Sequence, residues 1–413
     1  MKIKINFNLQ DLNEALEVVS IVTPSPVTQS GGAGFLFVVR GEECFLYSRN
    51  AQCVSRAKFP LIESSGDGSF AFPAEYLGAL RFLIAEGTCE IEATSDDGRH
   101  TVEYHTPGGA ESEFGSFDPS LLATCDEDFE SAKTKHTFSS SILREAISLA
   151  RPFIADLKNG KTENLKGIEV IDKARLPNGD GYLYAADGNR AFYFYTDEFR
   201  GKSLEIHGQH VPAFLSFLSK CEDEVVVCKG SHFTFAVNGK GHVFGWPEHD
   251  KLHDKFNYYT TKKDPIAVNV NKAALLNSLQ HARACMAKDK DRIKVNFNPT
   301  SKEIRFAFPE SKTRTIPVSV KYKINESDEE AVEPQAYTIG VNVDFFIELV
   351  QTIKGHDVEV RWVISPPTPT RKTEMALFRT IDEFRLDAKT GKVTPEPEGS
   401  IPCRVTRFMP SRD

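Results

Sequence analysis

A strand followed by an amphipathic helix recurs six times along the 413 residues, and this repetition most constrains the fold. The clearest copy is FSSSILREAISLARPFIADLK, which begins at Phe138. Within it, Leu143, Ile147, Ala150 and Ile154 recur at three- and four-residue spacing, which predicts one buried helix face. The six segments span residues 5–22, 69–85, 136–156, 203–220, 266–287 and 337–354. Such a chain must pack helices against strands several times over.

The six copies group into three longer repeats. Leu16, Ile147 and Leu279 hold equivalent positions roughly 130 residues apart, and each repeat contains a half-repeat of about 65 residues. Between the helices the sequence alternates as antiparallel strands do. We therefore predict an α+β fold of three similar domains, each with two helices packed on antiparallel sheet. The predicted domains are residues 1–132, 133–262 and 263–413, the third with extended loops near 365–400.

Composition indicates a globular protein outside the membrane. Hydrophobic residues make up 40% and charged residues 26% of the chain. No apolar run approaches the roughly 20 residues of a membrane helix, so we expect a cytoplasmic protein. The eight cysteines form no CxxC pair, which favours free, mostly buried thiols over a zinc site. The net charge of −8 argues against a wholly basic surface but leaves room for a local basic lining.

Two short motifs resemble a phosphate-binding loop, at residues 160–162 (GKT) and 201–203 (GKS). A phosphate loop needs a further glycine upstream of the Gly-Lys pair, and those positions hold Ala155 and Thr196. No Ser/His/Asp or Cys/His set stands out along the chain. We therefore predict a protein that is not an enzyme and needs no cofactor or metal.

Basic residues recur on or at the ends of the helical segments. Each one alone is typical of a solvated helix face, but their recurrence favours a shared basic surface. Such a surface would contact phosphates without reading bases. The candidate DNA-binding residues are Arg81, Arg144, Arg151, Lys158, Lys220, Lys272, Arg283, Lys288, Lys290 and Lys354.

Several stretches, in order along the whole chain, resemble the bacterial DNA polymerase III β subunit, the β sliding clamp. The opening MKIKINFNLQDLNEALEVVS is similar to the family's first strand and helix. Residues 165–170 (LKGIEV) and 185–190 (AADGNR) resemble its central motif pair, and residues 339–345 (IGVNVDF) resemble a later one. The end, 408–412 (FMPSR), is similar to the family's C-terminus. Asn189 replaces a histidine and Asp413 a leucine of the family pattern, which indicates a divergent member.

The resemblance implies a processivity factor for DNA replication. Two chains would join head to tail as a homodimer, giving six domains and twelve helices around a hole. Helices packed about 9 Å apart place their axes on a circle roughly 35 Å across. Subtracting a helix diameter of about 10 Å leaves room for duplex DNA. The ring would hold double-stranded DNA without sequence preference.

The resemblance also implies a pocket that binds short peptides of the DNA polymerase and the clamp loader. Leucine, phenylalanine and methionine would form an adaptable apolar cleft. Arg190 and Asn342 would fix the peptide backbone or an acidic side chain. The matching residues are Leu165, Gly188, Arg190, Asn342, Phe345, Met409 and Pro410.

Two other functions stay open. In the first, the chain is a scaffold with the same fold that binds partner peptides without closing a ring. In the second, it is a nucleic-acid-processing enzyme with repeated α+β domains. The second alternative requires a carboxylate cluster or phosphate loop, and the sequence displays neither.

Overall fold

The structure is a computed structural model, and the part of the chain it describes falls into two compact units. The first unit comprises Met1–Ser141 and His210–His249, and the second comprises Ile142–Gln209 and Asp250–Asp413. The described residues are 2–24, 33–76, 87–106, 109, 111–122, 124–154, 167–172, 181–248, 266–286, 291–298, 300–307, 318–324, 338–365 and 375–410.

Five of the six predicted helices are present among these residues. The described α-helices are α1 (Leu9–Val19), α2 (Asp126–Glu130), α3 (Ser140–Ala150), α4 (Val211–Leu218), α5 (Lys272–Ala284) and α6 (Val343–Gln351). For the segment 69–85 the strand is present, but residues 77–86 lie outside the described part of the chain. Helix α2 has no counterpart in the sequence prediction.

The described strands are three to 13 residues long, and every pairing between them is antiparallel. In chain order they are β1 (Lys2–Asn8), β2 (Gly34–Arg40), β3 (Glu43–Arg49), β4 (Val54–Pro60), β5 (Glu63–Ser65), β6 (Gly68–Pro73), β7 (Thr88–Asp96), β8 (Arg99–His105), β9 (Glu111–Ser116), β10 (Lys133–Ser139), β11 (Gly167–Ile171), β12 (Gly181–Ala186), β13 (Ala191–Thr196), β14 (Leu204–His207), β15 (Glu224–Lys229), β16 (Phe233–Asn238), β17 (Val243–Pro247), β18 (Ile266–Asn271), β19 (Arg292–Asn298), β20 (Glu303–Ala307), β21 (Val318–Ile324), β22 (Thr338–Asn342), β23 (Asp357–Ser365), β24 (Met375–Asp387) and β25 (Ser400–Pro410).

The first unit contains two sheets, ordered β5-β1-β7-β8-β9 and β10-β15-β16-β17-β4-β3-β2-β6. Helix α1 packs across β3 and β4. The apolar face of α1 is fully buried at Leu12 and Leu16, as its three- and four-residue periodicity requires. Phe7 of β1 meets Phe59 of β4 edge to face, with 5.4 Å between ring centroids. This apolar layer holds the helix on the strands.

Helix α2 is bound to strands β2, β3 and β4 by one buried carboxylate. Asp126 accepts hydrogen bonds from the Tyr47 hydroxyl at 2.7 Å, from Arg40 at 2.8 Å and from Arg56 at 3.0 Å. Phe129, one turn later, packs edge to face on Phe235 of β16. Burial opposes ionisation of Asp126, but the hydrogen bonds and the arginine charges outweigh it, so its pKa is lowered.

A second carboxylate of α2 closes the turn between β15 and β16. The Asp128 oxygens accept backbone N–H bonds from Ser231, His232 and Phe233 at 2.5 to 3.3 Å. Helix α2 therefore joins β2–β4 to β15–β16 across the pairing of β4 with β17. The five residues of α2 form a strap over this strand junction.

The second unit contains one sheet, ordered β14-β11-β12-β13-β25-β24-β23-β18-β21-β20-β19-β22. Asparagine caps α5 and α6: Asn271 accepts from Ala274 N, and Asn342 from Phe345 N, each at 3.0 Å. The far end of α6 is held by Arg407, which is fully buried and donates to the Thr352 hydroxyl and carbonyl at 2.7 Å. A cation at a helix C-terminus also complements the helix dipole.

The sheets continue across both predicted domain boundaries. Strand β17 pairs with β4 in the first unit, and β25 pairs with β13 in the second. The boundaries at 132/133 and 262/263 stay a prediction, because sequence repeats and contact units need not coincide when strands pair across repeats.

The cysteine prediction is confirmed: all eight thiols are free, seven are buried and Cys285 is exposed. Burial raises the pKa of Cys53 and of Cys403 to about 12. These two thiols are therefore protonated and unreactive at neutral pH.

Candidate functional site

The turn between β12 and β13 is shaped by a carboxylate and a glycine. Asp187 Oδ1 accepts backbone N–H bonds from Asn189 and Arg190, both at 2.7 Å. Gly188 between them has φ +81°, a conformation that favours glycine. The local sequence Asp-Gly-Asn-Arg thus folds on itself and directs the Arg190 side chain away from the strand ladder.

The Arg190 guanidinium links three parts of the second unit. It donates to Asp187 Oδ2 at 2.9 Å and to the Pro152 carbonyl at 2.6 Å, and it forms an ion pair with Glu348 of α6. Its carbon lies 4.1 Å from the centroid of the Phe345 ring. Only 4% of Arg190 is exposed. A guanidinium bound in this way fixes the positions of the residues around it. To contact a peptide directly, it would have to give up one of its bonds to Asp187, Pro152 or Glu348.

Asn342 and Phe345 stand at the start of α6, beside Arg190. Asn342 donates from Nδ2 to Asp291 at 2.6 Å while its Oδ1 caps the helix at Phe345 N. The side chain of Asn342 is therefore engaged on both sides. Phe345 is half-buried and offers the free part of its ring next to the guanidinium.

Met409 lies next to this group at the end of β25. Ala191 pairs with Phe408 at the end of the β13–β25 ladder, so Arg190 and Met409, the next residues on each strand, lie side by side. Met409 is 1% exposed, which makes it part of the apolar floor. Pro410 ends the strand opposite Leu377, and Leu165 lies outside the described residues. Of the seven predicted pocket residues, the structure thus brings Gly188, Arg190, Asn342, Phe345 and Met409 into one neighbourhood.

Three residues of this neighbourhood were missed by sequence reasoning. Phe153 lies on the other side of the guanidinium, 5.3 Å from its carbon, and Glu348 and Pro152 supply two of its acceptors. Glu348 stands one helical turn after Phe345 on the same face of α6, a spacing that could have suggested it. Nothing in the sequence distinguishes Phe153 or Pro152 from other core and loop residues.

The candidate DNA-binding residues divide into three groups. Arg81, Lys158, Lys288 and Lys290 lie outside the described residues. Arg144 is half-buried on α3 and Arg151 is exposed just after it. Within the described part of the chain, neither of these two arginines forms an ion pair. Among the six described candidates, these two arginines are the ones that no described carboxylate or carbonyl holds.

The remaining candidates are held by other residues of the protein. Lys220 pairs with Glu17 of α1, Lys354 with Glu145 of α3 at 2.6 Å, and Arg283 with Asp344 of α6 at 2.8 Å. Lys272 donates to the Ile353 carbonyl, and burial lowers the pKa of its ammonium group. Exposed ion pairs exchange readily with solvent, so these pairs weaken a basic surface without abolishing it.

No protein-family model and no curated protein matches the sequence. The fold is similar to the DNA polymerase III β subunit of Pseudomonas aeruginosa, with 15% identity, a TM-score of 0.73 and coverage of 99% of this chain and 100% of that chain. It is also similar to the β subunit of Thermotoga maritima, with 14% identity, a TM-score of 0.68 and full coverage of both chains. The chain has the sliding-clamp fold.

This likeness over the whole length confirms the α+β clamp fold that the sequence resemblance implied. At 12–15% identity the likeness concerns the fold, and function must be argued from this chain's own residues.

Among the described residues, no three or more His, Cys, Asp and Glu side chains form a group able to hold a metal ion. None of the described helices of this clamp fold has the length and apolar character needed to span a membrane.

Proposed function

We propose that the chain is a cytoplasmic, non-enzymatic DNA sliding clamp: two copies close head to tail around duplex DNA and tether the replicative polymerase. The whole-length clamp fold supports this class of function. Ring closure is supported by the pattern of strand pairing between repeats.

In two places the last strand of one repeat pairs with a strand of the repeat before it. Strand β17 pairs with β4, and β25 pairs with β13. In the same succession, β9 is the last strand of the first repeat. One edge of β9 has no partner among the described strands. A second copy would supply a strand to that edge, and two such pairings close a ring.

A glycine of β9 supports this equivalence. The dipeptide Phe114-Gly115 of β9 recurs as Phe244-Gly245 of β17. At Gly245 a Cβ atom would lie 2.7 Å from Val54 of the paired strand β4, whereas at Gly115 nothing lies within 4 Å. The space beside Gly115 is what an edge that receives another strand should have.

In such a ring the helices line the hole, and Arg144 and Arg151 offer charge to the DNA backbone. The paired cations Lys220, Arg283 and Lys354 can exchange their carboxylates for phosphates, at an energetic cost that keeps binding weak. Weak, sequence-independent contacts let a ring slide, because no position on the DNA is preferred.

The neighbourhood of Arg190, Phe345 and Met409 is the proposed docking site for peptides of the polymerase and the clamp loader. An apolar floor beside a partly open aromatic ring suits an apolar peptide side chain. Arg190 and Asn342 position these surfaces through their hydrogen bonds to the protein.

A peptide-binding scaffold that closes no ring is the second candidate, and the ion pairs of Lys220, Arg283 and Lys354 favour it. Loading onto nicked circular DNA by the cognate loader separates the two functions. A clamp stays on the circle during gel filtration and is lost once the DNA is cut. A scaffold shows no dependence on DNA topology.

Replacing Arg151 by glutamate is expected to shorten the lifetime of the protein on circular DNA about tenfold, because one phosphate contact becomes a repulsion. Arg99→Glu, at the first residue of β8, is the matched control. Dimer mass should be the same for both variants. If Arg151→Glu persists on the circle as long as Arg99→Glu, Arg151 does not face the DNA.

A further inference from the structure

On the basis of the docking site proposed around Arg190, we propose that the first unit contains a second, closed copy of that site, and that Trp246 and Ala213 keep peptides out of it. The two copies stand at the two strand junctions between repeats, where β17 pairs with β4 and β25 pairs with β13. Residues 213 and 246 thereby decide which junction binds a peptide.

The same four-residue turn stands beside each junction. Residues 50–53 link β3 to β4, and residues 187–190 link β12 to β13. Asn50 Oδ1 accepts the backbone N–H groups two and three residues after it at 2.9 and 2.8 Å, and the aspartate that opens the second turn does the same at 2.7 Å. Cys53 therefore holds the position in the first unit that Arg190 holds in the second.

The strand that completes each junction continues this correspondence. The β4–β17 ladder ends one residue before Trp246 and one residue after Cys53, so these two residues lie side by side. Met409 and Arg190 lie side by side at the end of the β13–β25 ladder in the same way. A proline follows both the tryptophan and the methionine. Trp246 is thus the counterpart of Met409, which forms the apolar floor of the docking site.

Helices α4 and α6 meet these strands in the same register. The first and fourth residues of each helix are buried, and they are a valine and a phenylalanine in both. Between them, the third residue is Ala213 in α4 and Phe345 in α6. His210, the residue before α4, places its Nδ1 atom 3.2 Å from Cys53 Sγ. The first unit therefore has the turn, the strand and the helix of a docking site.

The two junctions differ in which element supplies the large aromatic ring. In the second unit the strand contributes the slender Met409, and the helix contributes Phe345, whose ring is only half-buried. In the first unit the helix residue is an alanine, and the strand contributes Trp246, which is 0% exposed and packs on Phe214 with 5.0 Å between ring centroids. The aromatic surface that the second unit offers to a peptide is thus turned inward in the first.

The variant A213F/W246M gives the first unit the helix and strand residues of the docking site. Calorimetric titration with a peptide from the polymerase of the same source is expected to find two peptides per chain instead of one. The second should bind about tenfold more weakly, because Cys53 cannot order the new phenylalanine as Arg190 orders its own. Bound peptide should slow hydrogen exchange at residues 50–53 in this variant alone. A213F keeps the enclosed indole and is the matched control, which should bind one peptide.

The reciprocal change places a tryptophan in the docking site of the second unit. M409W is expected to weaken peptide binding at least about 100-fold, because the indole fills the floor that a peptide side chain would use. M409L retains a slender apolar side chain and should stay within about threefold of the unchanged affinity. Urea unfolding of each variant shows whether it is folded. M409W decides the matter if A213F/W246M does not fold.

Three results would overturn the closed copy. One peptide per chain for a folded A213F/W246M, or unchanged affinity in M409W, would do so while leaving the docking site around Arg190 intact. Two peptides per unchanged chain, with exchange slowed at residues 50–53, would mean that the copy in the first unit is already open. An unchanged chain that binds no peptide would instead overturn the docking site itself, and the copy with it.

Discussion

Replacing Asp126 by alanine is expected to lower the free energy of unfolding of the first unit by about 3–5 kcal/mol. The carboxylate accepts three hydrogen bonds, from Tyr47, Arg40 and Arg56, and it is 7% exposed. Arg56 is the partner that makes the loss large, because its side chain is only 11% exposed. Without Asp126 that arginine stays buried with its charge uncompensated.

Lowering the pH should remove the same contribution to stability from the unchanged chain. The pKa of Asp126 is lower in the folded protein than the value of about 3.9 in an unfolded chain. A carboxyl group with a lowered folded pKa stabilises the fold above its unfolded pKa, and that contribution disappears as the pH falls through the folded value. The difference in stability between the unchanged chain and Asp126→Ala should therefore shrink below about pH 4.

The measurement can be confined to the first unit. The chain has two tryptophans, Trp246 in β17 of the first unit and Trp362 in β23 of the second. In a Trp362→Phe background, urea unfolding followed by fluorescence reports on the strand that the α2 strap covers. Glu127→Gln, the next residue and an exposed one, is the control. A loss under about 1 kcal/mol for Asp126→Ala would mean that the network behaves as a surface ion pair.

The sequence predicted the helices well because the spacing of apolar residues that indicates a helix lies within each segment. Leu12, Leu16 and their counterparts in the other segments follow a helical period that needs no knowledge of distant residues, and α1, α3, α4, α5 and α6 were found where that period placed them. The strap α2 was missed because it has only five residues. Its stability comes from Asp126 and Asp128, whose partners lie 70 to 105 residues away.

For the same reason, the sequence could not predict which basic residues form ion pairs with carboxylates. Lys220 meets Glu17 from 203 positions away, and Arg283 meets Asp344 across 61. Periodicity places a cation on a helix face but cannot identify the carboxylate that another repeat brings to it. Part of the pocket could be predicted, because the Asp-Gly-Asn-Arg turn and the Asn342 cap form between residues that are close in the sequence. Its acceptors at Pro152 and Glu348 are not local.

Replacing Arg190 by leucine is expected to weaken peptide binding by at least about 2 kcal/mol, or roughly 30-fold, although the guanidinium is not proposed to touch the peptide. Leucine fills much of the space but cannot bridge Asp187, the Pro152 carbonyl and Glu348. Phe345 would lose the cation that fixes its ring at 4.1 Å. The turn, the end of α3 and the start of α6 would then move independently.

The readout is fluorescence anisotropy with a labelled peptide from the polymerase of the same source. Glu348→Gln is the matched comparison: its side chain is 47% exposed and the amide keeps a hydrogen-bond acceptor, so its effect should stay below about threefold. Arg190→Lys should resemble leucine, because an ammonium group cannot supply the planar fork. If Arg190→Lys binds the peptide with unchanged affinity, a positive charge at position 190 is enough and the planar guanidinium is not needed.

Hydrogen exchange at residues 187–190 separates an ordering role for Arg190 from direct recognition. If Arg190 orders the pocket, Arg190→Leu should speed exchange of the Asn189 and Arg190 amides in the free protein, because Asp187 loses the partner that positions it as their acceptor. If Arg190 instead contacts the peptide directly, affinity would fall while exchange in the free protein stays unchanged. The first result would mean that the pocket is preorganised by the fold, so that an apolar peptide meets a surface already in place and loses little entropy on binding.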